Sequence, residues 1–259
     1  LMIASANDAA VALAEAVAGS VERFGDLMNQ KARALGAEHS TFVVPHGLHH
    51  PRHQTTARDL ARITRYALRH AAFAAIVRQQ TYTLIRHGHP PRLLINRNRL
   101  LWRLPGADGV KTGWVSESGP CVVASATRDG WQLIGVVLGS GDLFGDAARL
   151  LEYGFAHFRL VRVAGRDQEL ARHRLARADR EVAATVAEDL YVVLRRGAAL
   201  RWEVRWRPDL LPPILRGDPV GEMLEYADDR VVARQPVVAA ADVQARSLWS
   251  RFVIWARGG

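Results

Sequence analysis

The sequence predicts an α+β domain, an antiparallel sheet with helices packed on it, followed by a small all-β domain. Three observations carry this reading. The first 35 residues hold two helix-type segments with caps at the right places. Pro120 to Thr127 and Trp131 to Gly139 are apolar, β-branched runs joined through Arg128-Asp129-Gly130, the pattern of an antiparallel hairpin. Beyond Arg180 the chain becomes a series of short β-type runs separated by Gly, Pro and Asp breaks.

Taken in order, Leu1 to Asp8 leads into an Ala-rich helix from Ala9 to Gly19, with Asn7 or Asp8 placed to cap it. A second helix fits Ser20 to Leu35, with Phe24, Leu27, Met28 and Leu35 as its buried stripe and Gly36 at the C-cap position. A loop through Pro45-His46-Gly47-Leu48 follows, and Thr55-Thr56 starts a third helix with Leu60, Ile63, Ala67 and Leu68 on one face. Tyr82 to Ile85 and Arg92 to Ile95 read as short strands. Lys111 falls on the strand before the 120–139 hairpin, hence on a sheet edge, where free N–H and C=O groups can pair with an extended peptide. Asp146 to Phe158 reads as a helix carrying Leu150, Leu151, Tyr153 and Phe155. The basic stretch from Arg159 to Arg180 marks the domain boundary. This gives residues 1–160 as the first domain, 161–243 as the β domain and 244–259 as a tail. In the tail, Leu248, Trp249, Phe252, Val253 and Trp255 make an apolar stripe, either a membrane-surface anchor or a helix packed on the β domain.

With 259 residues, 49% of them hydrophobic, the chain can bury a substantial core. A net charge of +9 favours a polyanionic neighbour, whether nucleic acid, anionic lipid or acidic wall polymer. No basic zipper, Cys/His finger or aromatic RNA-binding signature is present, so nucleic acid is not the expected partner. Cys121 is the one cysteine, which rules out an internal disulfide and a Cys-rich metal site; on its strand it reads as core. His46, His49, His50 and His53 lack a carboxylate or Cys pattern to complete a zinc site, and neither metal nor cofactor is called for. Asp59 and Asp108 read as cap and turn carboxylates.

The chemistry concentrates in Gly106 to Trp114. Lys111 is one of two lysines in an arginine-rich chain, which points to a need for an ammonium rather than a guanidinium. Thr112 adds a hydroxyl, and Gly113 lets a ligand approach the backbone. Lys-Thr-Gly is one of three linked elements of serine β-lactamases and penicillin-binding proteins. Ser5-Ala6-Asn7 supplies a second: a hydroxyl to relay protons and an amide to hold a substrate peptide group, both at a helix start.

With these elements go Pro45-His46-Gly47-Leu48, Thr55 to Leu60, Asn98 to Trp102, Val123 to Ala126, Leu151 to Phe155, and Pro213 to Gly221. On this text the chain resembles the D-alanyl-D-alanine carboxypeptidases, low-molecular-mass penicillin-binding proteins of the bacterial cell wall. The resemblance implies a penicillin-binding-protein/serine β-lactamase-like domain joined to a β-rich C-terminal domain. It implies a serine peptidase that removes the terminal D-Ala of peptidoglycan stem peptides and binds β-lactam antibiotics, on the outer side of the cytoplasmic membrane. Carried over residue by residue, Ser5 is the relay hydroxyl and Asn7 the orienting amide. Lys111, Thr112 and Gly113 form the substrate-side wall, the Trp114 N–H is half of an oxyanion hole, and His46 lines the cleft.

Two departures qualify the resemblance. The family's Ser-x-x-Lys element, expected about sixty residues before Ser-x-Asn, is absent: none of the nine serines has Lys three positions later. The expectation is therefore an inactive fragment whose upstream coding sequence holds that element. Leu143 also stands where the family often has a carboxylate-binding Arg. An inactive wall-peptide-binding relative and a β-lactamase-type hydrolase remain the alternatives.

Overall fold

The structure, a computed structural model, describes residues 1–246. The apolar stripe from Leu248 to Trp255 lies outside the described residues. The chain divides into two compact units, the first Leu1–Phe155 and the second starting at Ala156.

The first unit runs α1 (Asn7–Ala18), α2 (Val21–Ala34), α3 (Ala57–Ala67) and α4 (Ala71–Val77), then the hairpin β1 (Thr81–Arg86) and β2 (His89–Ile95), and α5 (Leu100–Arg103). An antiparallel sheet of order β3-β4-β5 follows, from Ala107–Val115, Gly119–Arg128 and Trp131–Leu138, with α6 (Leu143–His157) after it. The β4–β5 turn is legible in its backbone. Asp129 (φ 50°) and Gly130 (φ 76°) are both left-handed, the two-residue turn whose twist matches antiparallel strands. Alternation along β4 then splits its side chains. Val122, Ala124 and Ala126 join Leu100, Ala147, Leu151 and Phe155 in the core, while Val123 lies opposite Lys111 on β3. Small residues let α6 close on this sheet: a Cβ at Gly135 would stand 3.3 Å from Leu150 and 3.4 Å from Leu151. Truncating a buried leucine such as Leu151 to alanine would cost about 2–5 kcal/mol.

Several local expectations are corrected. Neither Asn7 nor Asp8 caps α1; the cap position is Ala6, which makes no side-chain bond, and the Asp8 carboxylate accepts only the Ala9 N–H at 2.9 Å. The reason is Ser5, whose left-handed backbone (φ 57°) turns the chain so that Asn7 is already helical. Ser20 does cap α2, accepting the Arg23 N–H at 3.2 Å. Phe24, Leu27 and Met28 do not form a closed stripe: they line an open apolar groove with Val17, Phe42, Leu60 and Ile63, and the buried residues of α2 are Gly25 and Ala32. Asp59 is not a cap. Thr56 fills that role, and the fully buried Asp59 carboxylate instead accepts the His39 N–H (2.8 Å) and the Ser40 hydroxyl (2.9 Å), fixing the chain after α2 onto α3. Asp108 sits within β3 rather than in a turn, accepting from Ser125 (2.6 Å), Thr127 (2.5 Å) and Gln132 (2.8 Å). Cys121 is half-buried rather than core. Helix α6 starts three residues early, at Leu143.

The second unit pairs β6 (Phe158–Ala164) with β9 (Leu190–Arg195). A five-stranded antiparallel sheet has the order β10 (Leu200–Trp206), β11 (Pro219–Ala227), β12 (Arg230–Ala239), β8 (Val182–Thr185), β7 (Ala171–His173). Val182, Ala184, Ile214, Val220, Met223 and Val237 centre its core. Strands β6 and β7 fall in the basic stretch that the sequence reading left without structure. Arg159 and Arg162 interrupt the apolar residues of Phe158-Arg159-Leu160-Val161-Arg162-Val163 and fall on opposite faces, so no alternation marks the strand. Glu225 is fully buried on β11, where neither carboxyl oxygen has a hydrogen-bond partner among the described residues, and burial pushes its pKa up.

Candidate active site

The edge strand, the start of α1 and the loop after α2 meet in one cleft of about 660 Å³. Each wall has a local cause. Among the described residues strand β3 pairs with β4 alone, which leaves its other edge open. The Leu1 carbonyl accepts the Ser5 N–H at 2.8 Å, closing the turn that presents the Ser5 hydroxyl and, one step into α1, the Asn7 amide. The loop is pinned by Asn29 of α2, which donates to the Phe42 carbonyl (2.8 Å) and accepts its N–H (2.7 Å). Gly25 permits that approach, since a Cβ there would meet the Val43 carbonyl at 3.3 Å.

Lys111 is the centre of the site. Its Nζ donates to Ser5 Oγ at 2.8 Å and to the Thr112 carbonyl at 2.6 Å. Residues 106 positions apart are thus joined directly. Because Ser5 Oγ accepts from the ammonium, its own proton is free to be given elsewhere, and the third N–H of Lys111 is left for a ligand. Burial, with the Arg97 guanidinium second, lowers the Lys111 pKa to about 8. Such a lysine holds its proton near neutrality yet loses it readily, which suits proton-relay chemistry.

All seven residues selected from the sequence line this cleft: Ser5, Asn7, His46, Lys111, Thr112, Gly113 and Trp114. Trp114 is 69% exposed, its indole standing clear at the rim. The His46 ring is turned into its own loop, where Nδ1 accepts the Leu48 N–H at 3.1 Å. His53 also lines the cleft, accepting the Val43 N–H at 3.1 Å through Nδ1, and burial followed by the nearby His50 and His46 lowers its pKa. A neutral, Nε2-protonated His53 is therefore the form that holds the loop. Sequence reasoning missed Arg97 as a cleft cation. Its position one residue before Asn98, which donates to the Gly109 carbonyl at 2.7 Å, was the available signal. Leu143 and Phe144 close the far end with apolar surface.

Comparison with known proteins gives a consistent result. The sequence profile of the D-alanyl-D-alanine carboxypeptidase family matches residues 1–142, and that of the penicillin-binding protein 5 C-terminal domain matches residues 158–245. The chain is 32% identical over 264 residues to the D-alanyl-D-alanine carboxypeptidase DacC of Escherichia coli, covering 98% of this chain and 64% of that protein. It is 29% identical over 251 residues to DacF of Bacillus subtilis, covering 94% and 64% respectively. It therefore spans about 64% of the length of these curated relatives. The fold is similar to that of penicillin binding protein 5 from Haemophilus influenzae, with a TM-score of 0.81 and 28% identity over 94% of this chain and 72% of that one. With a family profile over residues 1–142, which hold every cleft residue except Leu143 and Phe144, and another over its β-rich unit, the chain belongs to the D-alanyl-D-alanine carboxypeptidase family.

Proposed function

We propose that this cleft receives the D-alanyl-D-alanine end of a peptidoglycan stem peptide and serves serine-type carboxypeptidase chemistry outside the cytoplasmic membrane. In that chemistry a serine attacks the carbonyl of the penultimate D-Ala, the terminal D-Ala leaves with a proton, and water then hydrolyses the acyl-enzyme. Ser5 is assigned the relay of the proton to the leaving amine, Asn7 the substrate amide, and Lys111 the charge of the developing anion. The open edge of β3, with Thr112, Gly113 and the Trp114 N–H, is assigned the peptide backbone and the oxyanion. Arg97 supplies the guanidinium for the terminal carboxylate that Leu143 does not.

The single observation behind this reading is the 2.8 Å bond between Lys111 Nζ and Ser5 Oγ beside an unpaired strand edge. No Ser-x-x-Lys pair occurs in the 259 residues, so they are assigned recognition and proton relay, and no acylation by this chain alone. Penicillin is a substrate mimic for the same site, and mass spectrometry after incubation with it should find no adduct. A stoichiometric adduct mapped to Ser5 would show that Ser5 is the nucleophile and overturn these roles. Supplying a Ser-x-x-Lys segment should bring labelling back.

A further inference from the structure

Residues 60–107 contain no aspartate or glutamate and carry nine arginines. Their formal charge of +9 is the whole net charge of the chain, since the remaining residues hold 26 cations against 26 acids. The segment includes most of α3, then α4, the β1–β2 hairpin and α5. Arg65, Arg69, Arg78, Arg86, Arg92 and Arg103 are all exposed. Among the described residues the one ion pair from this segment is Arg62 with Asp59, at 3.5 Å. Elsewhere arginines sit against acids, as in Arg128–Glu152, Arg162–Asp189, Arg172–Glu169 and Arg207–Asp209. Glu38 shares a groove with Arg62, and beyond Asp59 no acid among the described residues pairs with an arginine of this segment.

This surface runs into the cleft. The Gln80 amide donates to the Leu101 carbonyl at 2.7 Å and Asn96 to the Gln79 carbonyl at 2.9 Å, so the end of α4, the root of the hairpin and α5 form one piece. From that piece Arg97 lines the cleft, and the Arg99 guanidinium lies 6.0 Å over the ring of Phe144, another cleft residue. Among the described residues no carboxylate lines the cleft.

We propose that the arginine-rich surface of this segment is a docking track for a polyanionic polymer whose carboxylated peptide ends enter the cleft. Resting on the function proposed above, that polymer is a glycan strand bearing several acidic stem peptides, held along the track while one peptide end is bound. Fields from clustered cations reach about a Debye length, roughly 8–10 Å at physiological salt, and so act on a strand passing over the surface. An anionic membrane is the other polyanion to consider, because Tyr82, Ile85, Leu93 and Ile95 are exposed on the hairpin strands. The hairpin tip, Arg86-His87-Gly88-His89-Pro90-Pro91, has no large apolar side chain to insert, and the charge extends into the cleft, which favours the polymer.

The test uses the full chain and four probes: labelled uncross-linked glycan strands carrying stem peptides, the same strands with their carboxylates amidated, a short acyl-D-Ala-D-Ala peptide, and phosphatidylglycerol vesicles. The variant Arg86→Glu/Arg92→Glu, and independently Arg65→Glu/Arg69→Glu, should weaken strand binding about tenfold at low salt, with the difference vanishing near 1 M salt. Both should bind the short peptide as the parent does. Arg177→Glu/Arg230→Glu, on exposed arginines of the second unit, should leave strand binding within about twofold. Strands bound equally by parent and variants, or equally well when amidated, would overturn the proposal. So would tight vesicle binding that the hairpin variant abolishes while strands do not bind. Loss of short-peptide binding with strand binding still dependent on these arginines would sink the carboxypeptidase reading and leave the docking track standing.

Discussion

Replacing Arg97 by glutamine should raise the Lys111 pKa. Lys111 moves from the ordinary lysine value of 10.5 to about 8, with burial the larger cause and the Arg97 charge the second. That displacement corresponds to about 3 kcal/mol at 1.36 kcal/mol per unit, and to roughly half as much once screening at the open side of the cleft is counted. Arg97→Gln keeps a polar side chain and removes the charge. The Lys111 pKa should therefore recover less than half of the way back to 10.5, because burial remains. A lysine whose folded pKa is depressed contributes stability that is present above its unfolded pKa and lost as pH falls through about 8. The first unit should gain stability between about pH 8 and 10.5, and Arg97→Gln should flatten that gain. With two lysines in the chain, a 13Cε-lysine spectrum has two signals, and Lys31→Arg assigns them. A Lys111 midpoint near 10.5 in the parent, or a midpoint lowered by Arg97→Gln, would refute this account of the site's electrostatics.

Other outcomes follow from the packing. A polypeptide of residues 156–246 should melt cooperatively, whereas one starting at Arg166 should not, because it lacks β6, the partner of β9; equal melts by circular dichroism would contradict this. Glu225→Met should stabilise the second unit by about 1–3 kcal/mol, seen as a higher denaturant midpoint. In the parent, the raised Glu225 pKa contributes stability that is fully present below the unfolded carboxylate pKa and lost as pH rises through the folded pKa, and Glu225→Met should remove this contribution. Asp108→Ala strips the acceptor from three side chains and should cost the first unit about 2–3 kcal/mol; a change under 0.5 kcal/mol in urea titration would show the network to be dispensable.

How much could be read beforehand depended on whether a signal was local. The β4–β5 hairpin was legible because Asp129-Gly130 interrupts two apolar runs at turn spacing, and the edge position of Lys111 followed from it. Ser5, Asn7 and Lys111 were legible because a rare lysine and a short hydroxyl–amide motif stand out from their surroundings. Arg97 was not, since one cleft guanidinium is lost among so many. Strand β6 was hidden the same way, because Arg159 and Arg162 fall on opposite faces and break any two-residue pattern. Asp59 and Glu225 show a different limit. Whether a carboxylate caps a helix or is buried depends on partners 19 or 20 residues away or, for Glu225, on having none.

The central claim, that the Lys111 edge and the Ser5–Asn7 turn form one recognition site for a D-alanyl-D-alanine end, is tested most directly by NMR titration of the 15N-labelled chain. With an acyl-D-Ala-D-Ala peptide, the amide signals of Thr112, Gly113 and Trp114 and the side-chain amide of Asn7 should shift together with one affinity. The response should be lost in Lys111→Ala and weak for the L-Ala-L-Ala peptide. Shifts confined to other surfaces, or equal responses to both stereoisomers in parent and Lys111→Ala alike, would contradict it.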